Sequence, residues 1–284
     1  MKATKSGKAL LQRGVLVAAL CILLLGLAPV ASAQSPPWPT DLCIATGAPE
    51  EEKTLVCFPP DDTWNGVLVV YAHGYVDPNE PLQLPIAELS RAALPDGSTL
   101  IEFLVSHGFA FATTSYSKNG YAIEAAQEDL NGLVDRIQST LEGKGAPAAT
   151  VVLVGASEGG VITVQQLEQF PGTYHGGLAM CGPIGGMPYQ VQYLGDFRAV
   201  FDVLFPQIFS LGVIDVPIGA YMEWDDEYAP AIDAAIRTHP VLNNQLFRVT
   251  DAARIPWQPD TSVQSAQQVL RYSVFATNDL MATA

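Results

Sequence analysis

Between residues 53 and 181 the chain alternates short apolar runs with stretches of helical period. Lys53–Phe58 predicts a strand, stopped by Pro59-Pro60. Val67–Ala72 (VLVVYA) is apolar and β-branched with no polar face, which predicts a strand buried on both sides, as in a parallel sheet. Ser98–Ser106 predicts a short helix, with Ile101, Leu104 and Val105 on one face and Gly108 as its stop. Phe109–Ser115 predicts another strand. Ile123, Leu130, Leu133, Val134, Ile137 and Leu141 then keep a 3–4 spacing, the strongest helical signal in the chain. Its acids (Glu124, Glu128, Asp129) lie early and Arg136 late, the order that suits a helix dipole, and Gly143 is its expected stop. Val151–Val154 predicts a strand, Gly160–Phe170 a helix ended by Pro171-Gly172, and Gly177–Cys181 a further strand. Strand and helix in alternation imply an α/β fold with a largely parallel sheet flanked by helices.

Beyond residue 186 the pattern changes to a helical and irregular region rich in aromatics and prolines. Tyr189, Tyr193, Phe197, Phe201, Phe205 and Phe209 recur at every fourth residue. Each step of four overshoots a turn by about 40°, so the stripe spirals, and Pro206 interrupts it. Ordinary core packing accounts for such a stripe; a lid with an aromatic face over an apolar pocket is the functional alternative. Near the end, Thr277-Asn278-Asp279 reads as a helix cap with a new helix starting at Leu280.

The first 33 residues stand apart. Lys2, Lys5, Lys8 and Arg13 precede an uncharged Val15–Ala28 run and then Ala31-Ser32-Ala33, the three parts of a secretory signal peptide. The run is short for a membrane span, which needs about 20 apolar residues, and Leu20 before Cys21 does not suit lipid attachment. A secreted or periplasmic protein beginning at Gln34 is expected, without a stable membrane anchor. The 284 residues carry a formal charge of −15, and removal of the leader leaves 10 basic against 29 acidic residues. Such a chain repels phosphate backbones, so nucleic-acid binding is not expected. The apolar fraction of 49% excludes a long disordered chain. Export also bears on the cysteines. Cys43 and Cys57 flank a Gly47-Ala48-Pro49 turn and are expected to bridge an N-terminal hairpin, which leaves Cys181 unpaired.

Chemistry concentrates at Gly155-Ala156-Ser157-Glu158-Gly159-Gly160, where the strand Val151–Val154 turns into a helix. This is G-x-S-x-G between strand and helix, the setting a nucleophile elbow requires. The turn is too tight for side chains at its glycines, strains the serine, and lifts its hydroxyl above the sheet at the positive end of a helix. Acyl transfer also needs two backbone N–H donors for the oxyanion. One is expected from Glu158 and the other from Tyr75, in the Ala72-His73-Gly74-Tyr75 loop, where Gly74 permits close approach. His73 is read as organising that loop rather than transferring protons.

On these residues, over about 55–186, the chain resembles the α/β-hydrolase superfamily, most of all secreted bacterial esterase- or peptidase-type members. The resemblance implies Ser157 as nucleophile, Tyr75 and Glu158 at the oxyanion hole, and a later carboxylate and then histidine. It implies no cofactor or metal. The chain departs from the pattern at the last requirement. Only His175 and His239 follow Ser157; His175 precedes a strand and reads as structural. Asp215 and His239 have the right order, but helical sequence lies between them where a strand is required. The acids Glu223, Asp225, Asp226 and Glu227 read as a solvated helix start rather than a cation site.

The expected organisation is a leader (1–33), a hydrolase core (34–186) and a helical lid (187–284), with the chain ending before the last core strands and therefore catalytically incomplete. The expected function is a serine hydrolase acting on carboxylic esters. A non-catalytic, hydrolase-like ligand-binding protein is the alternative from another class, and a peptidase the alternative within the superfamily.

Overall fold

The computed structural model describes residues 38–283 apart from 49, 92, 93, 95, 213–215 and 250–261. The leader and Asp215 lie outside the described residues. In chain order the elements are β1 (Cys43–Thr46), β2 (Thr54–Cys57), β3 (Val67–Ala72), α1 (Ile86–Arg91), α2 (Leu100–Ser106), β4 (Ala110–Thr114), α3 (Ile123–Gly143), β5 (Thr150–Ala156), α4 (Glu158–Gln169) and β6 (Gly176–Met180). Then follow α5 (Met187–Leu204), α6 (Ile218–Met222), a π-turn (Trp224–Tyr228), α7 (Ala229–Thr238), α8 (Pro240–Val249) and α9 (Ser262–Thr283).

The strands form one sheet in the order β1-β2-β4-β3-β5-β6. β4, β3, β5 and β6 run parallel, and the β1–β2 hairpin adds antiparallel to β4. Period-2 alternation sends the two faces of β3 into different cores. Leu68, Val70 and Ala72 pack with Leu130, Leu133, Ile137 and Ile162 of α3 and α4, while Tyr71 packs with Leu89 of α1 and Ile101 and Val105 of α2. This explains why its sequence has no polar face. Helix α2 starts on a reciprocal capping box, Thr99 with Glu102. Helix α1 has too short an apolar period to be read from sequence.

Cys43 and Cys57 face each other across β1 and β2 and are disulfide-bonded; Cys181 is free and exposed. The bridge closes a loop of 14 residues in sequence, worth about 3 kcal/mol in the chain-entropy picture. Cys43→Ser is expected to lower unfolding stability by about that amount, measured by urea denaturation against the oxidised parent.

The helical region has a core of its own. Phe197, Phe201, Phe205 and Phe209 are buried in it with Trp224, Ile232, Phe247, Leu270 and Phe275. Tyr189, first in the aromatic stripe, is 73% exposed, as the drift of a four-residue repeat around a helix requires. Helix α5 ends at Leu204, before Pro206. The stripe is therefore core packing. The acids Asp225, Asp226 and Glu227 lie exposed in the π-turn that leads into α7.

One boundary differs from expectation. Thr277-Asn278-Asp279 is not a cap, because α9 runs unbroken through it. Asn278 and Asp279 accept N–H groups from elsewhere, Val216 and Tyr121, instead of their own backbone. Val263, Ala266, Leu270 and Val274 bury the face of the helix that keeps it continuous.

Candidate active site

The register Ala72↔Gly155 and Ala156↔Met180 brings the carboxyl ends of β3, β5 and β6 together. In an open parallel sheet ligands bind outside these ends. Backbone strain collects there too. Tyr116, Ser157 and Cys181, each just beyond its strand, are the non-glycine residues with positive φ among those described.

Ser157 sits between β5 and α4 at φ 56° and ψ −119°. Its N–H donates to the Met180 carbonyl at 2.9 Å, and its side chain is exposed. The flanking glycines are obligatory. A Cβ at Gly155 would strike the Gly159 carbonyl, and one at Gly159 would strike the Ala72 carbonyl. The turn can pack against β3 only without them. Glu158 holds the first position of α4, so its N–H has no intrahelical acceptor.

The loop after β3 is fixed from below. Gly74 N–H donates to the Glu88 carboxylate of α1 at 3.1 Å, and the same carboxylate accepts the Tyr71 hydroxyl at 2.7 Å. His73 is buried and stacked on Tyr116 with ring centroids 3.8 Å apart, its Nδ1 donating to the Gly74 carbonyl at 2.6 Å. Burial lowers its proton affinity. With Gly74 committed to Glu88, the next N–H, of Tyr75, has no hydrogen-bond partner among the described residues.

A pocket of about 110 Å³ opens at Ser157, walled by Tyr75, Tyr121, Glu158, Cys181, Leu194 and Tyr272, among others. Tyr75 and Tyr272 also face a second cleft of about 420 Å³ that holds Asp77, Glu80, Asp225 and Arg271. Helix α5 contributes Met187, Gln190 and Leu194 to the smaller pocket, not its aromatic stripe. The Glu158 side chain is 5% exposed, and its Oε1 accepts the Ala122 N–H at 2.8 Å. Burial, with the Asp279 carboxylate nearby, pushes its pKa up to about 8 against the pull of that hydrogen bond and of Lys118. Asp279 of α9 accepts the Tyr121 N–H at 2.8 Å, and its own pKa is raised by desolvation.

The structure thus brings Ser157, Tyr75 and Glu158 together. It does not bring a histidine to them: none of the chain's four histidines lines the Ser157 pocket. His73 lies buried in the loop. His107 ends α2 and bonds the Phe103 carbonyl. His175 pins the start of β5, accepting the Val151 N–H at 3.1 Å. His239 is exposed at the end of α7, bonded to its own helix at Ala235. Sequence reading missed Glu88 and Asp279, which fix the loops around the serine from distant helices. Glu88 lies in no motif, and Asp279 lies in a segment whose local signal is that of a helix cap, so neither role is stated by the sequence.

Sheet order, parallel core and strained strand–serine–helix turn define an α/β fold with a mostly parallel sheet flanked by helices. No protein-family model matches the chain, and no curated protein sequence matches it. Among solved structures, the rice cell wall degrading esterase LipA from Xanthomonas oryzae is similar at 14% identity and TM-score 0.39, over 82% of this chain and 70% of that one. A protein described as a probable hydrolytic enzyme (PA3053) from Pseudomonas aeruginosa is similar at 12% identity and TM-score 0.38, over 88% and 68%. A post-proline cleaving enzyme from Rickettsia typhi is similar at 11% and 0.34, over 55% and 23%.

Proposed function

We propose that this protein is an exported serine hydrolase that cleaves carboxylic esters through an acyl-enzyme on Ser157. The observation that carries the reading is the elbow: an exposed serine held at positive φ between β5 and α4, with Tyr75 and Glu158 lining the same pocket, from which their N–H groups would act. In this reaction Oγ adds to the ester carbonyl, and the carbonyl oxygen takes the negative charge. Those two donors and the α4 dipole stabilise it. The alcohol leaves with a proton, and water then releases the acid and regenerates the hydroxyl. Residues 34–186 would supply this core and 187–284 the lid. The apolar part of the small pocket, Leu194, Met187 and Val161, suits a short apolar or aromatic portion of the substrate.

A binding protein without turnover is the second reading, and the lack of an imidazole in the pocket favours it. Covalent labelling separates the two. An organophosphonate is expected to modify Ser157 alone, located by peptide mapping, with no adduct in Ser157→Ala. An adduct on another serine, or none after prolonged reaction, would overturn the assignment. Export predicts in addition an intact mass that begins at Gln34.

A further inference from the structure

The Ser157 pocket has a lining unlike that of a pocket for a plain hydrocarbon acid or alcohol. Tyr75, Tyr121 and Tyr272 surround it, with ring centroids 5.2 Å apart for Tyr75–Tyr121 and 6.4 Å for Tyr75–Tyr272. It contains no Lys, Arg or His. Its single ionisable acid is Glu158, more than nine-tenths buried, whose one hydrogen bond is from the Ala122 N–H to Oε1. Oε2 has no partner among the described residues. Outside the tyrosines, the adjoining cleft adds Asp77, Glu80 and Asp225 against Arg271 alone.

We infer that this pocket recognises a cation: the ester cleaved at Ser157 carries an ammonium group, seated against the tyrosine rings with Glu158 Oε2 as its counter-charge. The inference rests on the ester-hydrolase reading and names its substrate class. Ring faces attract a desolvated ammonium through their quadrupoles, as aromatic cages do. A buried carboxylate with one open oxygen gains from a fixed positive charge in the pocket, whose lining has no Lys, Arg or His; Lys118 acts on it only from the loop before α3, outside that lining. The strongly acidic chain draws cations toward the cleft and repels anionic alternatives such as phosphate esters.

Protonation supports the inference. The groups facing Glu158 are Asp279 from α9, Lys118 and Tyr121 from the loop before α3, and Tyr116 at the end of β4. With a pKa of about 8, Glu158 is mostly protonated at neutral pH. A permanent cation binds the ionised form, so its affinity rises with pH up to about 8 and levels off above.

Calorimetric titration of the purified protein with choline and with its neutral isostere 3,3-dimethylbutan-1-ol tests this without any call on Ser157 as nucleophile. At pH 8.5 choline is expected to bind at least about tenfold tighter than the alcohol. Its affinity is expected to rise roughly 20-fold from pH 6.5 to 8.5, while that of the alcohol stays flat. In Glu158→Gln, which keeps an acceptor for Ala122, the pH dependence is lost and the choline preference shrinks to what the tyrosine rings supply. Equal binding of the two, no binding of either, or a pH dependence of choline binding that survives Glu158→Gln overturns the inference. Failure here with Ser157 still labelled by the phosphonate removes only the cation. Failure of labelling removes the hydrolase reading, whatever choline does.

Discussion

Ester turnover by the purified protein is expected to be slow, and Ser157→Ala to remove what there is. A serine hydroxyl is a weak nucleophile unless a neighbouring base takes its proton. Each of the four histidines has another place: buried in a loop, bonded at the end of α2, pinning β5, or exposed at the end of α7. What the described residues do assemble is the strained serine turn, with Tyr75 and Glu158 lining the same pocket, their N–H groups being the donors on the proposed reading. In serine proteases these remnants keep on the order of 10³–10⁴-fold acceleration over water, and loss of the histidine alone costs about 10⁶ in kcat. Hydrolysis of a p-nitrophenyl ester is therefore expected to lie several orders of magnitude below that of a complete Ser-His-acid enzyme. His239→Ala is expected to leave the rate unchanged. Rapid turnover that disappears in Ser157→Ala would show that a base is present after all. If His239→Ala abolished it too, the Asp215/His239 pairing would be restored.

Glu158→Gln is expected to stabilise the fold in alkaline solution. Burial raises this carboxyl from 4.5 to about 8. Between those values the folded chain keeps a proton that the unfolded chain has lost, so stability falls as pH rises through this window and is level above it. At about 1.4 kcal/mol per unit of difference, the cost by pH 8.5 is of order 3–5 kcal/mol. Glutamine does not ionise and retains an oxygen for the Ala122 N–H. Urea unfolding of the two proteins is expected to differ by that order at pH 8.5 and by little at pH 4.5. Equal stability at both pH values would mean that Glu158 ionises freely in the folded state.

Much of this was legible in the residues themselves. VLVVYA could only be a strand covered on both sides, and its neighbours in the sheet carry similar apolar runs. G-x-S-x-G between strand and helix located the strained serine, because no other residue types allow β5 to turn so close to β3. The expectation of export, proximity and an intervening turn paired Cys43 with Cys57, and the two are disulfide-bonded. These are local signals, in which spacing and residue type state the geometry directly. The pocket around Ser157 has a different origin. Asp279 lies 158 residues from the Tyr121 N–H it accepts, and Glu88 reaches the Gly74 loop from a helix with no readable period. Likewise the sequence Thr277-Asn278-Asp279 contains good capping residues, yet burial of the α9 apolar face outweighed their local preference and carried the helix through them. The protonation of Glu158 depends on packing in the same way. A glutamate at the start of a helix is ordinarily ionised and solvated; only its enclosure by the loop before α3 and by α9, which excludes water, sets its charge. Local sequence thus determined the strands and the strained turn, and tertiary packing decided which distant side chains enclose the serine and what charge they present to it.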